Sequence, residues 1–349
     1  MADIKELLHH AVKKGASDLH ITQDLPPMLR IDGELHATPY DVLRREQTKK
    51  MVYSLLNDAQ KVRFEEQLEL DLSLYITGLC RFRVNVHMQK GSIEAAFRVI
   101  PNVIKSIEDL GLPPIVSELA RKQNGLVLVT GPTGVGKTTT LAAMVDLINS
   151  ERRCLIVSIE DPIEYVHQHK KSIVKQREVG VDTRSFANAL THALRQDPNV
   201  ILVGEMRDLE TISTAITAAE TGHLVLSTLH TPDAPQTIDR LIDIFPPYQQ
   251  EQVKIQLSGS IQGVICQQLL PRKEKKGRVP ACEIMVGTSA VRSLIREHKT
   301  GQLLTVIQTG GKYGMTTMDR AIKNLYLEGL INLEAAHTKV KDKSEFDKL

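Results

Sequence analysis

Several features that would assign a chain to a common class are absent here. The sequence has no tryptophan and only 4% aromatic residues. No run approaches the ~18 consecutive apolar residues of a transmembrane helix, and the start, MADIKELLHH, lacks the apolar core of a signal peptide. Basic and acidic residues nearly balance, at 44 against 42, so the charge gives no support for a nucleic-acid binder. We therefore expect a cytoplasmic protein.

Cysteine is also scarce. The four cysteines are Cys80, Cys154, Cys266 and Cys282, and no two of them form a C-x-x-C pair. The sequence therefore shows no zinc-binding signature. We expect free, buried thiols in a reducing compartment.

The length accommodates two domains, since 349 residues can supply two units of about 100–200 residues each. A content of 42% hydrophobic and 25% charged residues is typical of a globular protein. We predict an N-terminal α+β domain at 1–100 and a larger domain at 115–349. Between them, residues 101–114 contain three prolines and one glycine, which indicates an interdomain linker.

Within residues 1–100 the apolar spacing predicts a helix from Ile4 to Val12, which Gly15 ends. Residues 46–66 are predicted to be helical and amphipathic. The predicted strands lie at 18–22, at 28–35 with a turn at Asp32-Gly33, at 81–88 and at 93–100.

From residue 125 onward, short apolar runs alternate with helical stretches, as in a mainly parallel sheet buried on both faces. The predicted strands are LVLV, LIVSI, VILVG and HLVLSTL, with helices near 185–195 and 208–219 among the stretches between them. Beyond residue 247 we predict helices, apart from one strand at 281–286.

Residues 131–138 fit the phosphate-binding motif G-x-x-x-x-G-K-[ST] in full, between a strand-like and a helix-like run. The glycines let backbone N–H groups point at phosphates, and the following helix adds its positive dipole end. Lys137 is expected to reach the β- and γ-phosphates, and Thr138 to offer its hydroxyl to Mg²⁺. The predicted nucleotide-binding residues are Gly131, Pro132, Thr133, Gly134, Val135, Gly136, Lys137, Thr138 and Thr139.

Hydrolysis also needs carboxylates and a group that positions water, and three later segments contain them. These are IEDPIEY at 159–165, NVILVGEMRD at 199–208 and TGHLVLSTLHT at 221–231. Glu205 follows a buried strand, at the edge where ligands bind in α/β sheets. Each segment also has a structural explanation, because acids can cap turns, Glu205 can pair with Arg207, and histidines at strand ends are often structural.

Together these segments resemble the Walker A motif, Asp box, Walker B motif and His box of the secretion ATPase superfamily. They read GPTGVGKTTT, IEDPIEY, ILVGEMRD and TGHLVLSTLHT, and ASDLHI and PPMLRIDGEL resemble that family's PAS-like domain. Within the superfamily, the sequence is most similar to the type IV pilus retraction (twitching motility) ATPases, the PilT family. The resemblance is strongest at 191–212, 238–246 and 283–297, where the family's AIRNLIRE motif reads AVRSLIRE.

The alternative within the superfamily is a pilus assembly or type II secretion ATPase that drives filament extension. VLSTLHT is closer to those enzymes than to the VFGTLHT usual in retraction ATPases. Assembly enzymes, however, usually carry a longer N-terminal region and a tetracysteine zinc insertion, and the sequence shows neither. The absence of the zinc module carries more weight than the VLSTLHT segment, because the module is a whole structural element.

The resemblance implies an α/β, RecA-like P-loop ATPase domain with a parallel-rich sheet, preceded by a smaller α+β PAS-like domain. It implies a homohexamer that uses ATP and Mg²⁺ at the inner face of the cytoplasmic membrane. Its partners would be the inner-membrane pilus platform protein and the pilus machinery, with no nucleic acid and only peripheral contact with the membrane.

The resemblance also implies roles for single residues. The implied catalytic residues are Glu205, Glu164, Glu160, His223, Arg83 and Arg98. Glu205 would polarise the attacking water, and His223 would sense the γ-phosphate or link it to a neighbouring subunit. Arg83 and Arg98 would come from the N-terminal domain to neutralise phosphoryl charge. Arg81 and His230 would assist nucleotide binding, and Thr138, Glu160 and Glu205 would handle the metal, since Gly204 stands where the usual Walker B acid does.

Two functions from other classes remain open at this point. A nucleic-acid motor with the same core is disfavoured by the near-zero net charge and by the absence of a basic, aromatic-rich stretch. A nucleotide-regulated scaffold that does not hydrolyse ATP is disfavoured by Glu205 and the arginines.

Overall fold

The computed structural model describes residues 3–31, 33–100, 103–274, 277–341 and 343. It divides into two units, Met1–Val103 and Ile104–Leu349. The predicted turn residue Asp32 and the first two residues of the predicted linker, 101–102, lie outside the described residues. Among the residues described, no helix is long and apolar enough to span a membrane.

The first unit is an antiparallel sheet with three helices. The helices are α1 (Ile4–Lys13), α2 (Arg45–Tyr53) and α3 (Asp58–Gln67). The strands are β1 (Asp18–Ile21), β2 (Met28–Ile31), β3 (Glu34–Ala37), β4 (Glu69–Tyr75), β5 (Arg81–Gln89) and β6 (Ser92–Ile100). In the sheet they follow the order β3-β2-β1-β6-β5-β4, so β1 and β6 lie at its centre. The predicted α+β character is confirmed.

The alternation along β5 explains which face of this sheet is buried. Phe82 and Val84 are fully buried, whereas Arg83 between them is exposed. Side chains on a strand alternate between its two faces, so the apolar ones pack under the helices and the arginines stay outside.

The helical character predicted over 46–66 is confirmed, but the chain forms two helices there, α2 and α3, with a short break between them. Asn57 caps α3: its side chain accepts from the N–H of Gln60, and the Gln60 side chain accepts from the N–H of Asn57. This reciprocal pair satisfies two N–H groups at the start of a helix and separates α3 from α2.

The second unit is a seven-stranded sheet covered by helices on both faces. Its strands are β7 (Gly125–Thr130), β8 (Leu155–Glu160), β9 (Ile173–Glu178), β10 (Val200–Val203), β11 (Leu224–Leu229), β12 (Ile261–Pro271) and β13 (Arg278–Val286). The helices are α4 (Ile115–Ala120), α5 (Lys137–Glu151), α6 (Phe186–Ala193), α7 (Leu209–Glu220), α8 (Ala234–Asp243), α9 (Pro247–Ser260), α10 (Ser289–Arg296), α11 (Leu303–Thr309), α12 (Met318–Leu327) and α13 (Leu333–His337).

The strand order is β13-β12-β7-β11-β10-β8-β9, and only the β12–β13 pair is antiparallel. Leu126 and Leu128 pack into the core on one face, and Val127 and Val129 into the core on the other. The predicted parallel-rich α/β sheet, buried on both faces, is confirmed.

The prediction of helices from 247 to 280 is wrong for the part that forms β12. β12 pairs with β7 on one side and β13 on the other, and its apolar residues enter both cores: Val264 and Cys266 pack into one and Ile265 into the other. Its sequence, IQGVICQQLLP, therefore lacks the regular alternation that separates a strand from a helix. β9 was not predicted either, since its residues are mostly polar.

Parallel strands bring the carboxyl ends of β7, β8, β10 and β11 to one edge of the sheet. Residues 131–138, 161–165, 204–208 and 230 directly follow those four strands. The phosphate-binding loop and most of the predicted acids therefore share one edge.

Candidate functional site

The loop after β7 curls around the ammonium group of Lys137. Gly131 has φ +132°, a conformation that L side chains rarely adopt. Lys137, the first residue of α5, is buried, and its Nζ donates to the carbonyl oxygens of Gly131 at 2.7 Å and Pro132 at 3.0 Å. Burial lowers the pKa of Lys137, while the charges of Glu205 and Glu164 oppose that shift. A positive charge thus lies at the loop, with two acids close enough to stabilise it.

Glu205 and His230 extend this cluster from the neighbouring strand ends. Glu205 Oε2 lies 2.8 Å from Arg207 Nε and 3.5 Å from His230 Nε2. The other ring nitrogen of His230, Nδ1, lies 3.4 Å from Lys137 Nζ. His230 therefore stands between the lysine and the carboxylate. The pairing of Glu205 with Arg207 is present, but that arginine is 74% exposed, while the Glu205 side chain is 20% exposed.

Gly204 fits closely against the end of β8. A Cβ at this position would lie 3.3 Å from the carbonyl oxygen of Ile159 and 3.4 Å from Cα of Glu160. The hydroxyl of Thr228 on β11 donates to the carbonyl oxygen of Gly204 at 2.6 Å. The backbone of Gly204 is thus held from both sides, which fixes the position from which the Glu205 side chain extends.

The Asp box is attached both to the sheet and to α5. Glu160 is buried and accepts hydrogen bonds from Ser158 Oγ at 2.8 Å and Gln176 Nε2 at 3.1 Å. Burial raises the pKa of Glu160, and these hydrogen bonds oppose the shift only in part. Further along the box, the Tyr165 hydroxyl lies 2.9 Å from Thr139 Oγ1. Glu164, between them, is half-buried.

The two histidines of the His box lie at opposite ends of β11. His230 follows the strand at the edge that carries the loop. His223 precedes it, and its carbonyl accepts from the N–H of Gly125 at the start of β7. Its Nδ1 lies 3.0 Å from the carbonyl oxygen of Ala218 at the end of α7. The placement gives no support to His223 sensing a γ-phosphate in its own subunit, since six residues of strand separate it from that edge.

The N-terminal unit brings its arginines together on the open face of its own sheet. Arg83 and Arg98 are directly opposite each other on β5 and β6. Arg98 Nε donates to Asp18 Oδ1 at 2.9 Å, and Asp18 is buried. Arg81 lies one step along the same face and donates to Ser73 Oγ. Asp18 is not among the predicted site residues, although it stands in the ASDLHI segment.

Gln267 was also missed, because it lies in the run that was predicted to be helical. It is buried on β12, and its Nε2 donates to the carbonyl oxygen of Val135 in the loop at 2.7 Å. Nothing in its local sequence marks it, since its place beside the loop depends on β12 pairing with β7.

The oxygen atoms near the loop suit Mg²⁺. Thr138 lies in the first turn of α5, and the partly exposed Glu205 follows the neighbouring strand β10. Within the described part of the chain, no cluster of three or more His, Cys, Asp or Glu residues forms a metal site. Mg²⁺ is commonly held by one or two protein oxygens together with phosphates and waters, so the donor set fits.

The sequence pattern of the type II/IV secretion system protein family matches residues 1–283. The chain is 50% identical over 344 residues to the type IV pilus retraction ATPase PilT of Pseudomonas aeruginosa, covering 99% of this chain and 100% of that protein. It is 48% identical over 316 residues to a twitching motility protein of Neisseria gonorrhoeae, covering 90% of this chain and 84% of that one.

Among solved structures, the chain matches the crystal structure of the pilus retraction motor PilT with bound ADP. The TM-score is 0.93 at 48% sequence identity, and the match covers 100% of both chains. The predicted fold, a parallel-rich ATPase domain after a smaller α+β domain, is therefore confirmed.

Proposed function

The chain belongs to the type II/IV secretion system protein family, and we propose that it is an ATP-hydrolysing motor that drives type IV pilus retraction. The observation that carries this proposal is the cluster of Lys137, His230 and Glu205 beside the phosphate-binding loop. It supplies a cation for phosphates and a carboxylate for water, with the ring of His230 between them. The near full-length similarity to a pilus retraction ATPase supports the choice of work that the hydrolysis drives.

In this account the triphosphate of ATP lies along residues 131–139. The loop N–H groups and the positive end of α5 bind the phosphate oxygens, and Lys137 exchanges its carbonyl partners for the β- and γ-phosphates. Glu205 orients a water molecule for attack on the γ-phosphorus and polarises its O–H bond. The bond from the γ-phosphorus to the bridging oxygen breaks, and ADP and inorganic phosphate leave.

Mg²⁺, when bound, would neutralise negative charge on the phosphates. Thr138 is the proposed direct protein ligand, and Glu205 would act on the metal's water shell. Glu160 is the weaker candidate, because its buried carboxylate already accepts from Ser158 and Gln176. Glu164, which is less buried, is the Asp-box acid that we propose faces the metal or its waters.

We propose that the protein works as a homohexamer and that the first unit supplies arginines to the nucleotide. Arg83 and Arg98 are paired on one exposed sheet face, with Arg81 beside them, which suits a phosphate group. His230 would report on the γ-phosphate through its contacts with Lys137 and Glu205, whereas His223 would act across a subunit boundary. The proposed partners are the inner-membrane platform protein and the rest of the pilus machinery, met at the inner face of the membrane.

The second candidate function is pilus assembly or type II secretion by the same chemistry. It is favoured by VLSTLHT, which places Ser227 where retraction ATPases usually have glycine. Retraction is preferred because the sequence shows no tetracysteine module and is similar along its length to a retraction ATPase.

Purified protein tests the enzymatic part of the proposal. We expect ATP hydrolysis that is lost in Lys137→Ala and on chelation of Mg²⁺, and a particle mass of six chains. A rate in the wild type equal to that of Lys137→Ala would instead indicate a nucleotide-regulated scaffold. Strong stimulation by single-stranded DNA would indicate a nucleic-acid motor.

A further inference from the structure

Gln267 is a buried amide that contacts the phosphate-binding loop from the neighbouring strand β12. Only 3% of the residue is exposed, and both ends of its side chain are hydrogen bonded. Nε2 donates to the carbonyl oxygen of Val135 at 2.7 Å, and Oε1 accepts from Thr140 Oγ1 on α5 at 2.7 Å. A single side chain therefore links the loop to the first turn of the helix that follows it.

The loop is also packed against Gln267 at two of its glycines. A Cβ on Gly131 would collide with the backbone oxygen of Gln267. A Cβ on Gly136 would lie 3.3 Å from Gln267 Nε2, a tight contact that would require the amide to shift. The start and the end of the loop thus rest on the same residue of β12.

The contact with Val135 fixes the direction of a peptide group. In a trans peptide the C=O and the following N–H point in opposite directions. The amide of Gln267 draws the Val135 carbonyl toward β12, so the N–H of Gly136 must point away from that strand. A neutral amide suits this task because it donates and accepts without a buried charge.

We propose that Gln267 is a positioning residue for nucleotide binding, which holds the Val135–Gly136 peptide and the start of α5 in the arrangement that binds phosphate. This inference rests on the proposed function, since it assigns Gln267 to the ATP site. Gln267 acts through the loop and not on the phosphates themselves. Loss of this side chain should therefore weaken the binding of substrate and of transition state alike, which raises KM and leaves kcat unchanged.

The test measures ADP binding by calorimetry, ATP hydrolysis, and the melting temperature without nucleotide. For Gln267→Leu we expect the Kd for ADP and the KM for ATP to rise about 10-fold, with kcat within about 3-fold of wild type. The matched control is Gln268→Leu, the next residue on the same strand, whose side chain points to the opposite face. It should change neither constant by more than about 2-fold.

Thr140→Val keeps the shape of its side chain and removes only the hydroxyl that donates to Gln267. We expect its Kd for ADP to rise about 3-fold, and the double variant to bind no more weakly than Gln267→Leu alone. If Gln267→Leu does not fold, the result for Thr140→Val decides.

The inference is overturned if Gln267→Leu, or Thr140→Val in its place, binds ADP as tightly as the wild type. It is also overturned if the melting temperature and kcat fall while KM is unchanged, because that result marks a purely structural residue. A wild-type protein that neither binds ADP nor hydrolyses ATP would instead refute the proposed function.

Discussion

At the scale of single residues, the site depends on three side chains from segments that follow three different strands. Lys137, Glu205 and His230 are far apart in sequence and within hydrogen-bonding or ion-pair distance in the fold. The parallel strands bring them together, and the loop carbonyls hold the lysine in place. Substitution of Lys137, Glu205 or His230 should therefore have separable effects on nucleotide binding and on hydrolysis.

Glu205→Gln should remove the carboxylate that polarises water while keeping the size of the side chain. We expect kcat for ATP hydrolysis to fall by ~10²-fold or more, with the Kd for ADP within ~3-fold of wild type. The control is Glu210→Gln, an exposed acid on α7 a short distance along the chain, which should leave both values unchanged. Steady-state kinetics measure kcat and calorimetry measures the Kd for both variants. A Glu205→Gln variant with full kcat would remove this residue from the mechanism.

His167, just after the Asp box, should make stability depend on pH. Burial lowers its pKa to about 4, with Asp146 opposing and Lys170 adding to that shift. In the unfolded chain the pKa returns to 6.5, so only the unfolded state gains a proton as the pH falls below that value. The contribution of neutral, buried His167 to the free energy of unfolding is therefore complete above pH 6.5 and is lost as the pH falls toward 4.

The measurement compares wild type with His167→Gln by urea unfolding at pH 7 and pH 5. Between pH 7 and pH 5, the free energy of unfolding of the wild type should fall by about 2 kcal/mol more than that of the variant. An equal loss in both proteins would show that His167 titrates normally in the folded state.

At the scale of elements, α10 is joined to the end of α9 by one arginine of the AVRSLIRE motif. Arg292 donates to the carbonyl oxygens of Gly287 at 2.8 Å and Ser258 at 2.9 Å, and also to that of Gly259. These carbonyls include the last ones of α9, which have no partner inside that helix. The other arginine of the motif, Arg296, is exposed. The two arginines thus differ in role: the first is structural, and the second is available to a partner.

Arg292→Met should therefore lower the free energy of unfolding by about 2 kcal/mol, because it leaves several helix-end carbonyls unpaired. Arg296→Met, the matched control on the same helix, should change it by less than about 0.5 kcal/mol. Chemical denaturation checks both. Equal effects of the two substitutions would contradict the assignment.

The elements also show how far the sequence could predict the fold. Strands with clear alternation, such as β5, and short apolar runs, such as those that form β7, β8, β10 and β11, can be predicted because their pattern is local. β12 and the break at Asn57 cannot, because the first depends on pairing with β7 and β13 and the second on one capping pair. The same reason applies to the site: the loop and Glu205 stand in recognisable motifs, whereas Gln267 becomes a neighbour of the loop only in the folded sheet.

At the scale of the whole molecule, the chain consists of an antiparallel unit with an arginine-bearing face and an α/β unit with the proposed nucleotide site. Function as a motor requires that hydrolysis in the second unit be coupled to the first. The paired arginines on β5 and β6 are the proposed means of that coupling.

Arg83→Ala and Arg98→Ala should each lower the ATPase rate by ~10²-fold or more if these side chains neutralise phosphoryl charge. Arg98→Ala has a further consequence, because it leaves the buried carboxylate of Asp18 with a weaker set of partners. Arg63→Ala on α3 of the same unit is the control and should retain the wild-type rate. If both β-strand variants hydrolyse ATP as fast as that control, the arginines play no part in catalysis.

The central claim, that Glu205-dependent hydrolysis of ATP retracts a pilus, is tested most directly in the native host. The gene is deleted, then complemented with the wild type or with Glu205→Gln, and surface pili are counted by electron microscopy beside a twitching assay. The account predicts more pili and no twitching in the deletion strain. Only the wild-type gene should restore the normal pilus number and twitching. A deletion strain without pili would contradict retraction and identify the protein as an assembly motor.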